Sequence, residues 1–229
     1  MIIFSHIQKT AGTSLRLDIE SGCAGKYFSD YLSDFVLSYK DNFKKDRTIF
    51  KENVKNNAKD LINYDIIYGH FCSDKYNCLK DLTTINLITF MRDPIERVIS
   101  HYYYWKNRVE INDFSDKHCE AYYQLGLLRE NKLSLVEFAD TEGIKNIYKL
   151  YFSSNLISDF AFIGIAERFY ESIGILNNRF NTKFTFRKDN ITDKSIYIDE
   201  IKYSYDKLNK INEENYHYYN LALNTFWNK

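Results

Sequence analysis

Met1-Ile2-Ile3-Phe4-Ser5-His6-Ile7-Gln8-Lys9-Thr10-Ala11-Gly12-Thr13-Ser14-Leu15 opens the chain, and its reading decides the fold. The β-branched apolar start predicts a buried strand over Met1 to His6, with Gly12 ending the loop behind it. From Thr13, the run Ser14-Leu15-Arg16-Leu17-Asp18-Ile19-Glu20 predicts a helix, stopped by Gly22 and Gly25. A strand, a loop of small residues and a helix make a sound site for a phosphate or sulfate. Small side chains let the backbone approach a ligand, and Gly12 is free to adopt a positive φ. The helix N-terminus offers free N–H groups and the positive end of its dipole. Lys9 adds a full charge, and Thr13 and Ser14 add hydroxyl donors. Taken alone, the same residues also read as a plain strand-to-helix turn with an exposed Lys.

Two further apolar runs end in polar residues of chemical interest. Ile66-Ile67-Tyr68 leads into Gly69-His70, and Ile85 to Met91 leads into Arg92-Asp93-Pro94, with Pro94 the only proline. Asp93 as N-cap, Pro94 as first helical residue and Glu96 as capping-box partner predict a helix. Ile95, Val98, Ile99, Tyr102 and Trp105 form its apolar stripe. Arg92 then sits at the C-terminal end of a strand, where ligands bind in open α/β sheets. Ser100, about two helical turns on, shares a face with Glu96 and Arg97 away from the stripe. A guanidinium and a hydroxyl so placed suit one phosphate, although a strand cap and a solvated serine fit the two residues equally. Ser134 and Glu137 form another capping box, Phe160 to Ile165 reads as a fourth strand, Phe184-Thr185-Phe186 as a fifth, and Tyr203 to Trp227 as a terminal helix. Strands alternating with helices predict an α/β fold with a mainly parallel central sheet and helices on both faces. No repeat or linker divides the chain, so residues 1–229 read as a single domain.

The totals exclude several classes. Lys plus Arg and Asp plus Glu are both 31, so a globally basic nucleic-acid binder is disfavoured. Cys23, Cys72, Cys78 and Cys119 include no Cys-x-x-Cys pair, so no zinc ribbon, thioredoxin-like site or other metal centre is indicated. No run approaches the ~20 apolar residues of a membrane span, and the N-terminus lacks the pattern of a secretory signal. A cytoplasmic location with reduced thiols is expected. The basic stretch Lys40, Lys44, Lys45, Arg47, Lys51, Lys55 and Lys59 alternates with acids and reads as a solvated helix face, with anionic-glycan binding the alternative. Arg187-Lys188-Asp189-Asn190-Ile191-Thr192 reads as a solvated turn, or as a loop covering a nucleotide.

Taken together, two segments carry a resemblance. His6 to Leu15 resembles the 5′-phosphosulfate loop of the carbohydrate sulfotransferase superfamily, H-[IL]-P-K-T-[AG]-[GS]-[ST]-[ST]-[LF]. Phe90-Met91-Arg92-Asp93-Pro94-Ile95-Glu96-Arg97-Val98-Ile99-Ser100-His101-Tyr102 resembles its 3′-phosphate segment, F-x-R-D-P-x-x-R-x-x-S-x-[FY]. The branch with the heparan sulfate 2-O-sulfotransferases is the most similar in flavour. Weaker echoes are Phe162 to Phe169 and Asn215 to Ala222, with Asn215 where an Asp is common. Gln8 departs from the usual Pro. The resemblance implies a P-loop-like sulfotransferase fold and in-line transfer of a sulfuryl group from PAPS (3′-phosphoadenosine 5′-phosphosulfate) to a hydroxyl acceptor, most simply a sugar, leaving PAP. It implies that Lys9, Thr10, Ala11, Gly12, Thr13 and Ser14 hold the 5′-phosphosulfate, with Lys9 also catalytic. Arg92 and Ser100 would hold the 3′-phosphate, and His70, in Tyr68-Gly69-His70-Phe71, would be the general base.

Other histidines read differently: His6 as packing or orienting the loop, His101 as lining or structural. Two other functions stand against an active sulfotransferase. One is a non-catalytic nucleotide- or glycan-binding module on the same fold. The other is an ATP-using kinase, which the order of Lys9 and Gly12 opposes, since G-x-x-x-x-G-K-[ST] is missing. The acceptor's identity and the oligomeric state are not legible.

Overall fold

The computed structural model describes residues 1–22, 24–31, 43–110, 128, 130, 132–185 and 198–227. Five parallel strands form its sheet: β1 (Ile2–Ser5), β2 (Tyr27–Asp30), β3 (Ile66–Gly69), β4 (Asn86–Met91) and β5 (Phe162–Ile165). Their order is β2-β3-β1-β4-β5, with Ile2 opposite Ile66 on one side and Asn86 on the other. Helices α1 (Gly12–Glu20), α2 (Phe43–Asn56), α3 (Ala58–Leu61), α4 (Pro94–Glu110), α5 (Leu135–Ala139), α6 (Glu142–Lys145), α7 (Ile147–Phe152), α8 (Phe169–Phe180), α9 (Ile198–Ile211) and α10 (Glu213–Phe226) are the α-helices among these residues. The mainly parallel sheet with helices on both faces is the architecture expected of the alternating pattern.

The period of two along β1 distributes its side chains to two cores. Ile2 and Phe4 pack with Leu15 and Ile19 of α1 and Ile173 and Leu176 of α8. Ile3 packs on the other face with Ile95, Val98 and Ile99 of α4 and Tyr148 and Tyr151 of α7. Every residue of β1 and β3 is buried, which is why both strands read as unbroken apolar runs.

The order fixes where a ligand fits. From β1 the chain leaves through α1 toward β2 at one edge, and from β4 it leaves through α4 toward β5 at the other. The adjacent strands β1 and β4 therefore diverge at their C-terminal ends and open a crevice at the switch point. The loop carrying Lys9 and the turn carrying Arg92 are its two lips.

Several expectations need correction. The strand over Phe184-Thr185-Phe186 does not form within its described residues: Phe184 and Thr185 are non-strand, Thr185 N–H and Oγ1 donate to Asp18 of α1 (2.6 and 2.8 Å), and Phe186 lies outside the described residues. The fifth strand is instead β2, whose residues are largely exposed or half-buried and so lack an apolar run. The terminal helix breaks at Asn212, a buried residue whose Nδ2 donates to the Leu208 carbonyl, an instance of an amide competing for the helix ladder. Helix α4 is not half-solvated: Arg97, Ser100 and His101 are as buried as its apolar stripe, because α5, α9 and α10 all pack against it. The predicted N-caps form, but the capping box at Asp93 does not close: the Asp93 N–H donates to Glu167 Oε1 at 3.1 Å and the Glu96 carboxylate pairs with Arg92. Glu96 N–H donates to Asp93 Oδ1 at 3.0 Å, and Ser134 and Glu137 close a reciprocal capping box. Along the basic stretch, Lys51, Lys55 and Lys59 are exposed on α2 and α3, with Lys51 paired to Asp74 at 2.7 Å. Residues 187–192 and Lys40 lie outside the described residues. Among the described residues, no helix is long and apolar enough to cross a membrane.

Candidate active site

The loop between β1 and α1 is bent by its backbone. Lys9 and Ala11 both have positive φ, 67° and 71°, a conformation that costs a residue with a Cβ about 1–2 kcal/mol. Left-handed residues such as the two flanking Thr10 are the backbone state from which anion-cradling runs of N–H groups are built. Thr10 is fully buried and its Oγ1 donates to the Ile7 carbonyl at 2.8 Å, so it braces the loop and only its backbone is left to face a ligand. Gly12 begins α1 without a positive φ. It is needed for a different reason: a Cβ there would lie 1.8 Å from His6 Nε2. No acidic residue occupies the first turn of α1, Thr13 is exposed and Ser14 is buried.

Lys9 Nζ lies 3.8 Å above the centre of the Tyr104 ring of α4, a cation–π contact. Arg92 Nη1 donates to the Lys9 carbonyl at 3.5 Å, which joins the two lips of the crevice directly. The Arg92 guanidinium also faces Glu96 Oε2 at 3.3 Å and Glu167 Oε1 at 3.9 Å. Its backbone is clipped by Tyr148, which receives the Arg92 N–H at 3.1 Å and donates to the Arg92 carbonyl. Burial pushes the Tyr148 hydroxyl well up, so it stays a donor. Tyr148 is held in turn by Asn215, whose Oδ1 accepts from the Tyr148 N–H at 3.3 Å while its Nδ2 donates to the Lys145 carbonyl at 2.8 Å. The amide does both; a carboxylate would not donate.

His70 follows β3 at the same rim. Its Nδ1 lies 2.7 Å from the His6 carbonyl. A carbonyl only accepts, so Nδ1 carries the proton and Nε2 keeps its lone pair, the tautomer a base requires. Burial pulls the ring down to about 4, with the nearby Arg16 charge adding to the effect and the His6 carbonyl opposing it; at neutral pH the imidazole is uncharged. His6 is likewise held well below its ordinary value, first by burial and then by the nearby Arg16 and Lys9 charges. It stacks on Phe4 at 5.4 Å and bonds the Tyr31 hydroxyl at 2.8 Å, the loop-orienting role expected of it. His101 packs against Trp105 and Phe138, a structural role.

The structure thus brings together the Lys9 loop, Arg92 and His70. It does not bring Ser100 into view: the side chain is buried in α4, and among the described residues no hydrogen bond joins it to Arg92 or the loop. Sequence reasoning missed Tyr31, Tyr148, Tyr151 and Glu167, which reach the site from distant elements, and also Tyr104 of α4. Burial pushes the Tyr151 hydroxyl well above its ordinary value.

No family model matches the chain, and neither does any curated protein. Among solved structures, the chain is similar to mouse sulfotransferase SULT7A1 complexed with PAP, at 11% identity and a TM-score of 0.35, over 88% of this chain and 62% of that one. The chain spans less than two thirds of that neighbour's length. At so low a score the likeness bears on neither the fold nor the chemistry, which rest on the strand order and the residues themselves.

Proposed function

We propose that the chain, as one domain, transfers a sulfuryl group from PAPS to a hydroxyl acceptor, with a sugar as the acceptor suggested by the motif resemblance. The observation that supports this most is the convergence of two cationic lips, Arg92 Nη1 3.5 Å from the Lys9 carbonyl, at the switch point of the sheet. A nucleotide with an anionic group at each end needs both lips. ATP has phosphates at one end only, and the loop order of Lys9 and Gly12 differs from that of ATP-using loops.

The residues fit the donor. The Lys9 loop and the N-terminus of α1 suit the 5′-phosphosulfate, and Arg92, with Ser100 by resemblance, suits the 3′-phosphate. In the transfer, His70 Nε2 takes the proton of the acceptor hydroxyl as its oxygen bonds to sulfur. The bond from sulfur to the 5′-phosphate oxygen breaks, and its electron pair stays on that oxygen. Lys9 and the loop N–H groups stabilise this developing charge more than they stabilise the ground state. The donor's own charge also raises the His70 pKa from its depressed value toward neutrality, where a general base works best.

The test is incubation with PAPS labelled in its sulfuryl group and a panel of glycans, small alcohols and peptide tyrosines. Label should move to a hydroxyl in the wild type, and His70→Ala should slow the transfer by about 10²–10⁴-fold. Absence of transfer to every acceptor, together with absence of PAP binding, removes this reading.

A further inference from the structure

We propose that Tyr31 is a positioning residue that holds the His70 imidazole in the tautomer with its proton on Nδ1. Its effect on turnover rests on the sulfuryl-transfer reading; its effect on the imidazole does not.

Tyr31 follows β2 directly, beside the residue that closes the sheet edge. The Asp30 carbonyl abuts Gly69 so closely that a Cβ on Gly69 would lie 1.9 Å from it. The Asp30 carboxylate is itself fixed by Lys75 and Tyr76, each at 2.7 Å. This anchored strand end delivers the Tyr31 ring onto the residue after Gly69, which is His70. The two rings meet edge to face, with centroids 4.7 Å apart and planes at 87°. On its other side His70 meets the His6 ring at 4.6 Å, and the Tyr31 hydroxyl is bonded to that same His6 at 2.8 Å. Tyr31 therefore touches both members of the pair that sets the tautomer: the imidazole, and the residue whose carbonyl receives its proton.

A competitor explains why such a clamp is needed. The Tyr151 hydroxyl of α7 lies 3.4 Å from the same His70 Nδ1. A hydroxyl can donate as well as accept. If the ring drifts toward Tyr151, Nδ1 becomes the acceptor, the ring proton moves to Nε2, and the lone pair facing the acceptor is lost. Among the described residues, the charged group acting on His70 is Arg16 of α1, whose guanidinium lies 5.7 Å from the centre of the Tyr31 ring. It disfavours a second proton on His70 but does not choose between the nitrogens. Tyr31 makes that choice by holding the ring against a carbonyl.

The experiment is long-range proton–nitrogen NMR of the full chain with labelled imidazoles, near neutral pH, on the wild type and Tyr31→Phe. Phenylalanine keeps the ring and removes the hydroxyl. The wild type should show His70 with its proton on Nδ1. In Y31F the Nε2–H form should appear, with kcat falling roughly threefold in proportion to the lost fraction and KM for PAPS staying within about twofold. An unchanged single tautomer in Y31F overturns the assignment. So does a wild-type His70 protonated on Nε2, a result that needs no variant. A tautomer shift in a chain that moves no sulfuryl group upholds the role of Tyr31 and removes the functional reading instead.

Discussion

Replacing Gly12 by Ala puts a methyl group 1.8 Å from His6 Nε2, 2.1 Å from Cδ2 and 2.4 Å from Cε1. The backbone does not resist the change, because Gly12 has no positive φ; the whole cost comes from the imidazole. That ring has little room to retreat, since it stacks on Phe4, faces His70 at 4.6 Å and bonds Tyr31 at 2.8 Å. Overpacking of this kind costs about 1–3 kcal/mol, and losing the Tyr31 bond costs about 1 kcal/mol more. The better helix propensity of Ala returns up to about 1 kcal/mol. A net loss of about 2 kcal/mol is expected, measured as a lowered urea midpoint at unchanged slope. His6→Ala removes the obstacle, so in the G12A/H6A double variant the Gly12 change should cost at least about 1 kcal/mol less than it does alone. A G12A protein within about 0.5 kcal/mol of wild type, or strictly additive variants, would refute the wedge between His6 and the loop.

Other outcomes follow from the same site. His70→Ala should lower kcat by about 10²–10⁴-fold and leave PAP affinity nearly unchanged; a matched loss in affinity would show that His70 serves binding instead. The folded His70 value of about 4 lies below the ordinary value of 6.5, so folding favours the neutral ring. Its contribution is full above about pH 6.5 and is lost as pH falls from there through about 4, by up to roughly 3 kcal/mol. His6 and His101 act in the same direction. Urea midpoints across this window should fall, and His70→Gln should flatten the slope; an unchanged slope contradicts the burial of the ring. Saturating PAP should raise the His70 pKa toward neutrality in an NMR titration, and a fall would contradict an anion bound beside it. Tyr148→Phe removes the clip on the Arg92 backbone and should cost about 1–2 kcal/mol of stability, read by thermal or urea unfolding.

The placement of the candidate residues at one rim of the sheet was legible where its parts are local. Strand, loop and helix around Lys9 lie within one short stretch, and the Arg92 turn announces itself through Pro94 and the Asp93 cap. His70 was legible from its place after a buried run. What escaped was long-range. Tyr31, Tyr148 and Glu167 act on His6, Arg92 and Asp93 across 25, 56 and 74 positions, and nothing in their own neighbourhoods marks them. Strand β2 escaped because an edge strand buries one side at most. The buried state of Arg97 and Ser100 escaped because a polar face on a helical wheel says nothing of what packs over it.

The central claim is that one nucleotide, anionic at both ends, bridges the Lys9 loop and Arg92. Calorimetry with PAP and with AMP, which lacks the 3′-phosphate, tests it on wild type and Arg92→Ala. Charge-assisted hydrogen bonds of about 1.5–3 kcal/mol predict that PAP binds the wild type at least tenfold more tightly than AMP, and that R92A erases the difference. Equal affinity of the wild type for the two nucleotides, or a PAP preference that survives in R92A, would contradict the account.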